Sequence, residues 1–372
     1  MQLLDPLFVL VFLAFQNVVY AWFRVPCTSP LVHDRIDPIV SPGVIPSNHI
    51  HTVHGASNFA ANSTYETLRQ SQCTSCRVAQ DLSNYWFARL YFQDPQTGQF
   101  EAVANGGLLV YYLNRGSGDK SNGGPGLHAF PAGFTMTSGD PTARSNSSSS
   151  DPQQRLRIQA VEFDCLRYPS DQGYNGYGFP TTDCEAGLNA RIHMPACWDG
   201  VNLDSPDHMS HTAYLSGLDN GDCPSTHPVP LLELLYEVTW NVHDFANRWS
   251  PGRDPWPFVY STGDPTGFSW HGDFQNGWDI VALQNAIDQC NNASNPTGSG
   301  VTEACSFLTV VNASVASTCN ITAVVDEPTE TNLTNLPGCN PIQPGPNEAT
   351  LYSDSNCPSS SPELDNPLRA PE

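Results

Sequence analysis

The sequence predicts a mainly β protein, a single β-sandwich or jelly-roll-like domain with long disulfide-tied loops and a short C-terminal helical segment. Three observations lead there. Thirty-two prolines and 28 glycines break the chain into short segments. Several of these segments alternate, or run apolar, over strand lengths. Twelve cysteines, all beyond residue 21, suit an oxidising compartment and up to six disulfides whose pairing spacing alone does not give. No linker and no internal repeat divides the chain, so one domain is expected over residues 22–346. The polar, Pro/Ser-rich residues 347–372 are expected to form a disordered tail.

Residues 1–21 read as a secretory signal peptide. Leu7 to Phe15 is an apolar run of the right length, and Val19-Tyr20-Ala21 supplies small residues at the cleavage positions. The run is too short to span a bilayer, and Gln16 and Asn17 interrupt it. Sequons begin at Asn62, Asn146, Asn292, Asn312, Asn320 and Asn332, as in a secreted glycoprotein. A net charge of −22 with Lys120 as the single lysine argues against nucleic acid or an anionic membrane as partner after signal cleavage.

Along the mature chain, His49-Ile50-His51 alternates, so on a strand both rings project from one face, with His54 on the other. Cys73-Thr-Ser-Cys76 lacks a βαβ context, so its cysteines are expected in structural disulfides. Tyr85 to Phe92 and Leu108 to Leu113 read as strands, the second expected to be buried from its continuous apolar run, and Leu156 to Cys165 alternates over several residues and reads as strand. Leu231 to Trp240 reads as strand, with helical competition in its Leu-Leu-Glu-Leu-Leu text. Ile280, Leu283, Ile287 and Cys290 mark one face of a helix capped by Asp279.

The richest stretch chemically is Trp198 to His211, with three carboxylates and two imidazoles in fourteen residues. Ser205-Pro206 reads as a helix start, which would place His208 and His211 on one face. Joined to His49, His51, His227, His271 and Asp273, this stretch could make one centre from segments far apart in sequence. His49, His51, His208 and His211 are the candidate ligands of a divalent transition metal, with an Asp as oxygen ligand or supporting partner. Without metal, Asp204, Asp207 and Asp273 are the candidate carboxylates for acid/base cleavage of a glycosidic bond, with a histidine or tyrosine as base in a lyase. Tyr85, Trp86, Tyr177 and Trp270 are candidate sugar-stacking rings. No G-x-S-x-G nucleophile elbow is present.

Several of these motifs together resemble a family of secreted fungal proteins carrying the domain of unknown function nineteen-ninety-six. The resemblance rests on Phe-Arg-Val-Pro-Cys27, Arg35-Ile-Asp-Pro-Ile-Val-Ser-Pro-Gly43 and Ser47-Asn-His-Ile-His-Thr-Val-His-Gly55. It continues through Cys73-Thr-Ser-Cys76, Phe130-Pro-Ala-Gly-Phe134, Pro195 to His211 and His271-Gly-Asp-Phe-Gln-Asn-Gly-Trp-Asp279. It implies an extracellular or cell-wall-associated protein and carries no activity with it. From the residues, the chain is read as a secreted protein acting on cell-wall polysaccharide as a hydrolase or lyase. The alternatives are a non-catalytic wall or glycan-binding protein and a His/Asp metal-binding protein.

Overall fold

Residues of the Asn84–Ala88 strand point alternately to two faces, and both faces are covered. This strand is the centre of a five-stranded antiparallel sheet, ordered Val32–Asp34, His51–Gly55, Asn84–Ala88, Gly272–Gln275, Thr135–Ser138. A second antiparallel sheet of six strands is ordered Phe23–Cys27, Asn105–Leu113, Glu233–Trp240, Leu188–His193, Val161–Cys165, Asn175–Gly176. These coordinates are a computed structural model that describes residues 23–168, 173–290, 301–353 and 355–358. The signal segment lies outside them.

The two sheets face each other across an aromatic core. Tyr85 packs edge-on against Tyr236 at 5.8 Å, and Phe87 against Trp240 at 6.0 Å. Several polar tips in this core find partners, as burial favours. Tyr85 donates to Asp81 Oδ2 at 2.5 Å, its hydroxyl lies 2.7 Å from that of Tyr112, and Trp278 Nε1 donates to Tyr112 at 2.6 Å. Tyr236 donates to the Asp273 carbonyl at 2.8 Å, fastening one sheet to the other. The sandwich expected from the sequence is present, with strands where Leu108–Leu113 and Leu231–Trp240 require them.

Three local expectations need correction. Pro152–Gln159 is a helix, and only Val161–Cys165 is strand. Asp151 caps that helix by accepting from the N–H groups of Gln153 and Gln154, and Pro152 starts it. Tyr85 to Phe92 is two strands, because the chain breaks at Arg89 and Leu90–Gln93 joins a separate three-stranded sheet. The tail is anchored at its start: Ala349 donates to the Thr142 carbonyl at 2.8 Å, and Cys357 is bonded to Cys339. Residues 359–372 lie outside the described residues.

All twelve cysteines are paired: Cys27–Cys76, Cys73–Cys319, Cys165–Cys184, Cys197–Cys223, Cys290–Cys305 and Cys339–Cys357. Cys73 and Cys76 go to different partners, so the motif is structural. The helix Ile280–Cys290 forms as expected, with Asp279 accepting from Ala282 N and Leu283, Ala286, Ile287 and Cys290 buried. Among the described residues, no helix is long and apolar enough to cross a membrane.

His54 occupies the core-facing side of its strand, stacked on Phe87 with Nδ1–H donating to the Ser29 carbonyl at 3.0 Å. Burial holds its pKa down to about 4. The unfolded ring titrates near 6.5, so between these values the unfolded state binds the extra proton. The stability this neutral ring supports is therefore present above pH 6.5 and is lost as pH falls toward 4. His54→Ala is expected to remove about 3 kcal/mol of the acid-side slope over that window. Urea midpoints of both proteins at pH 7 and pH 4.5 check this, since unchanged slopes would mean the ring does not titrate this way.

Candidate metal centre

The outer face of the five-stranded sheet carries the histidines. His51 pairs with Ala88 in one register, and Phe87 pairs with Gly272 in the next. Continuing that register by one residue sets His271 across from Ala88 on its other side. Two imidazoles thus flank a side chain that is only a methyl group, and the space above Ala88 is theirs. His49, just before the strand, folds over them. Ring centroids are 4.3 Å apart for His49 and His51, 5.0 Å for His49 and His271, and 6.0 Å for His51 and His271.

Hydrogen bonds set the tautomers. A carbonyl only accepts, so His51 Nδ1–H must donate to the Ile36 carbonyl (3.1 Å) and His271 Nδ1–H to that of Ser269 (2.7 Å). Each ring therefore presents a bare Nε2, the arrangement in which a backbone carbonyl orients a metal-binding imidazole. His51 Nε2 is buried and has no partner. His271 Nε2 lies 3.1 Å from His49 Nε2, which donates to it. One donor atom from each of the three lies within 4.8 Å of the others. Ligands around a tetrahedral zinc ion sit roughly 3.3 Å apart, given bonds of about 2.0–2.1 Å, so a small contraction would seat an ion. His49 would then carry its proton on Nδ1.

Burial, above all, keeps these rings neutral. It holds His51 and His271 down to about 4, with the charge of His51 adding to the effect on His271. His49 lies well below its ordinary value through burial, then the charges of His51 and His271. Two carboxylates flank the cluster. Asp37 accepts from the N–H groups of Ile39 and Val40 at 3.0 Å each and feels the charges of both His271 and His208. Asp273, two residues from His271 on the same face of the strand, is buried with Oδ2 unpartnered. Burial, then the nearby Asp37 charge, pushes its pKa well up.

The Trp198–His211 stretch is bonded along the Thr135–Ser138 edge of this sheet and is not a helix. Asp207 Oδ1 accepts from Met209 N and Ser210 N, closing a turn, and His208 follows in the left-handed region at φ 57°. A helix cannot start through a residue so placed. Burial alone would raise the Asp207 pKa, but the bonds from Ser210 and Ser205 outweigh it and hold the carboxyl well down. His211 does not offer a free nitrogen. Its Nε2–H donates to the Thr135 carbonyl at 2.7 Å and its Nδ1 lies 2.9 Å from Ser205 Oγ. His208 pairs with Asp204 at 3.0 Å, and its carbonyl accepts from Thr137 N, beside Asp273 on the neighbouring strand. His227 fastens the same turn through the Ser210 carbonyl at 3.0 Å. So the structure brings together His49, His51 and His271, with Asp273 two residues from His271 on the same face of the strand. It leaves His208 with Asp204 at the margin and makes His211 and Asp207 parts of the turn.

Of the rings considered for sugar stacking, Tyr85, Trp86 and Trp270 have 0% of their surface exposed and offer no face to a ligand. They were recruited to the core because both sides of the Asn84–Ala88 strand are covered. Tyr177, 40% exposed, is the one of the four that could stack on a sugar. Asp37 lies within the Arg35–Gly43 motif, and the folding of its loop, which no spacing reports, brings its charge to bear on His271.

No curated protein and no solved structure matches the chain. One family model does, that of the domain of unknown function DUF1996, over residues 37–278. This span holds Asp37, the three histidines and Asp273.

Proposed function

We propose, for a chain that belongs to the DUF1996 family, that it is an extracellular protein built around a transition-metal ion held by His49, His51 and His271, acting on wall polysaccharide. The observation that carries this reading is the convergence of three neutral imidazoles, two of them with Nδ1 committed to backbone carbonyls. An all-nitrogen set suits Zn²⁺ or Cu²⁺ rather than Mg²⁺ or Ca²⁺. Three protein ligands would leave a fourth position, and an ion so held would supply Lewis acidity there. Asp37 and Asp273, held toward the neutral acid by burial, would ionise beside a bound ion, and Asp273 Oδ2 is unpartnered on the same strand face. Six disulfides support an extracellular setting. So does the exposure of every described sequon asparagine: Asn62, Asn146, Asn312, Asn320 and Asn332.

A metal-free pair of carboxylates is less well supported, since Asp204 is engaged by His208 and Asp207 by its own turn. Burial favours a second reading, a purely structural ion: His49, the most open of the three, is 8% exposed. One experiment separates the two. Full-length protein loaded with Zn²⁺ or Cu²⁺ is incubated with a panel of wall polysaccharides, with and without chelator. Chelator-sensitive release of reducing ends or unsaturated sugars supports the catalytic reading. Retained metal with no release on any polymer supports the structural one, and no metal after dialysis defeats both.

A further inference from the structure

A second cluster lies at one end of the six-stranded sheet, and none of the candidate residues considered above belongs to it. Glu233 opens one strand and His193 ends its neighbour, with Asp219 brought to them by the loop between Leu215 and Asp222. One donor atom from each lies within 4.8 Å of the other two. His193 Nδ1 is 2.6 Å from Glu233 Oε1. Glu233 is 0% exposed, yet its Oε2 has no partner.

An ion pair with His193 alone does not account for this. It satisfies one oxygen of a fully buried carboxylate and leaves the other bare, a loss comparable to a broken hydrogen bond. It also gives no reason for a second carboxylate to be held so near the first. Arg115, its side chain 13% exposed, answers part of the Asp219 charge, with Nε 2.8 Å from Oδ1, and its charge also reaches Glu233, while Asp219 itself is about half exposed. The loop itself is preset. Leu218 takes a left-handed φ of 58°, Gly217 N donates to the Asn220 carbonyl at 2.9 Å, and Cys197–Cys223 ties the segment to the short Cys197–Trp198 strand of a neighbouring three-stranded sheet. An open surface hollow of about 510 Å³, lined by Ser117, Asn122, Ser216, Gly217, Asn220 and Gly221, runs along the same loop.

We infer that His193, Glu233 and Asp219 form a second divalent-cation site, distinct from the three-histidine centre. One imidazole with two carboxylates suits Zn²⁺ or Mn²⁺; a calcium site would be built from oxygens alone. The ion takes the place of the proton between His193 and Glu233, opening their 2.6 Å contact to ligand spacing and drawing in Glu233 Oε2 or Asp219. It pins the 215–222 loop to the end of the sheet.

The test is calorimetric titration of chelator-stripped full-length protein with ZnCl₂. The wild type is expected to take up two ions. Asp219→Asn, on an exposed loop where folding is not at risk, should weaken one of them at least 10-fold and leave the other. His51→Ala should show the reverse, and the double variant should bind neither tightly. Glu233→Gln should behave as Asp219→Asn, with its melting temperature recorded because the position is buried. The inference is overturned if Asp219→Asn takes up as many ions at wild-type affinity. It is equally overturned if the wild type binds one ion that only His51→Ala removes. Should His51→Ala change nothing while Asp219→Asn loses an ion, the three-histidine reading fails and this one stands.

Discussion

Replacing His51 with alanine is expected to weaken zinc binding at the three-histidine centre by more than about 100-fold, beyond what loss of a supporting partner alone costs. His51 is a demanding choice because it is fully buried, and removing it also loses packing and a hydrogen bond to Ile36. His54 supplies the matched control three residues away. It is equally buried, its Nδ1–H also donates to a backbone carbonyl, its Nε2 is likewise unpartnered, and its pKa is also about 4. The two differ in what the bare nitrogen faces: His51 looks toward two other imidazoles, His54 into aromatic core. His54→Ala should therefore cost comparable stability and leave metal affinity unchanged. Titration calorimetry beside thermal melts of both variants checks this. Equal losses of affinity would show that packing, not ligation, is being measured.

The second large effect falls on Cys73–Cys319. This disulfide joins residues 246 apart in sequence, the longest closure in the molecule. Cross-linking so long a loop restricts the unfolded chain most, and removing such a bond typically costs about 2–5 kcal/mol, with the long closure placing it toward the upper end. Cys319 packs with Phe59 and Trp86 in a small cluster on the histidine-bearing side of the sheet, and Ile321 N donates to the Leu31 carbonyl at 3.1 Å. The bond thus clamps the 312–321 segment over that face. Replacing both cysteines by serine is expected to lower the melting temperature by about 5–7 °C. The Cys165–Cys184 pair, 19 residues apart, should lower it by less when removed in the same way. Calorimetric melts of the two double variants decide whether closure length governs the order.

Much of the fold was legible because strand periodicity and the half-cystine count are local or additive signals. Leu108–Leu113 and the Asp279-capped helix announce themselves through spacing alone. The failures share a cause. Ser205-Pro206 reads as a helix start, but the bonds that Asp207 accepts from following N–H groups close a simple turn, and His208 in the left-handed region decides for the turn. Leu156 to Cys165 alternates well enough to mask the Asp151-Pro152 start upstream. Tyr85, Trp86 and Trp270 look alike in sequence whether they meet sugar or core, and only the second sheet and the covering loops settle which.

The centre was half visible. His49-Ile50-His51 and His271-Gly272-Asp273 each carry a mark of alternation. Their meeting depends on the register that sets His51 and His271 on either side of Ala88, across more than two hundred residues. No spacing rule reports that. His193 and Glu233 were invisible for the same reason, each lying in an ordinary strand.

The most direct measurement is an anomalous difference map from crystals of the full-length protein soaked in zinc, collected above the zinc absorption edge. A peak within bonding distance of the Nε2 atoms of His49, His51 and His271 is the predicted result. Full zinc occupancy elsewhere on the molecule, with those three nitrogens bare, would contradict the account.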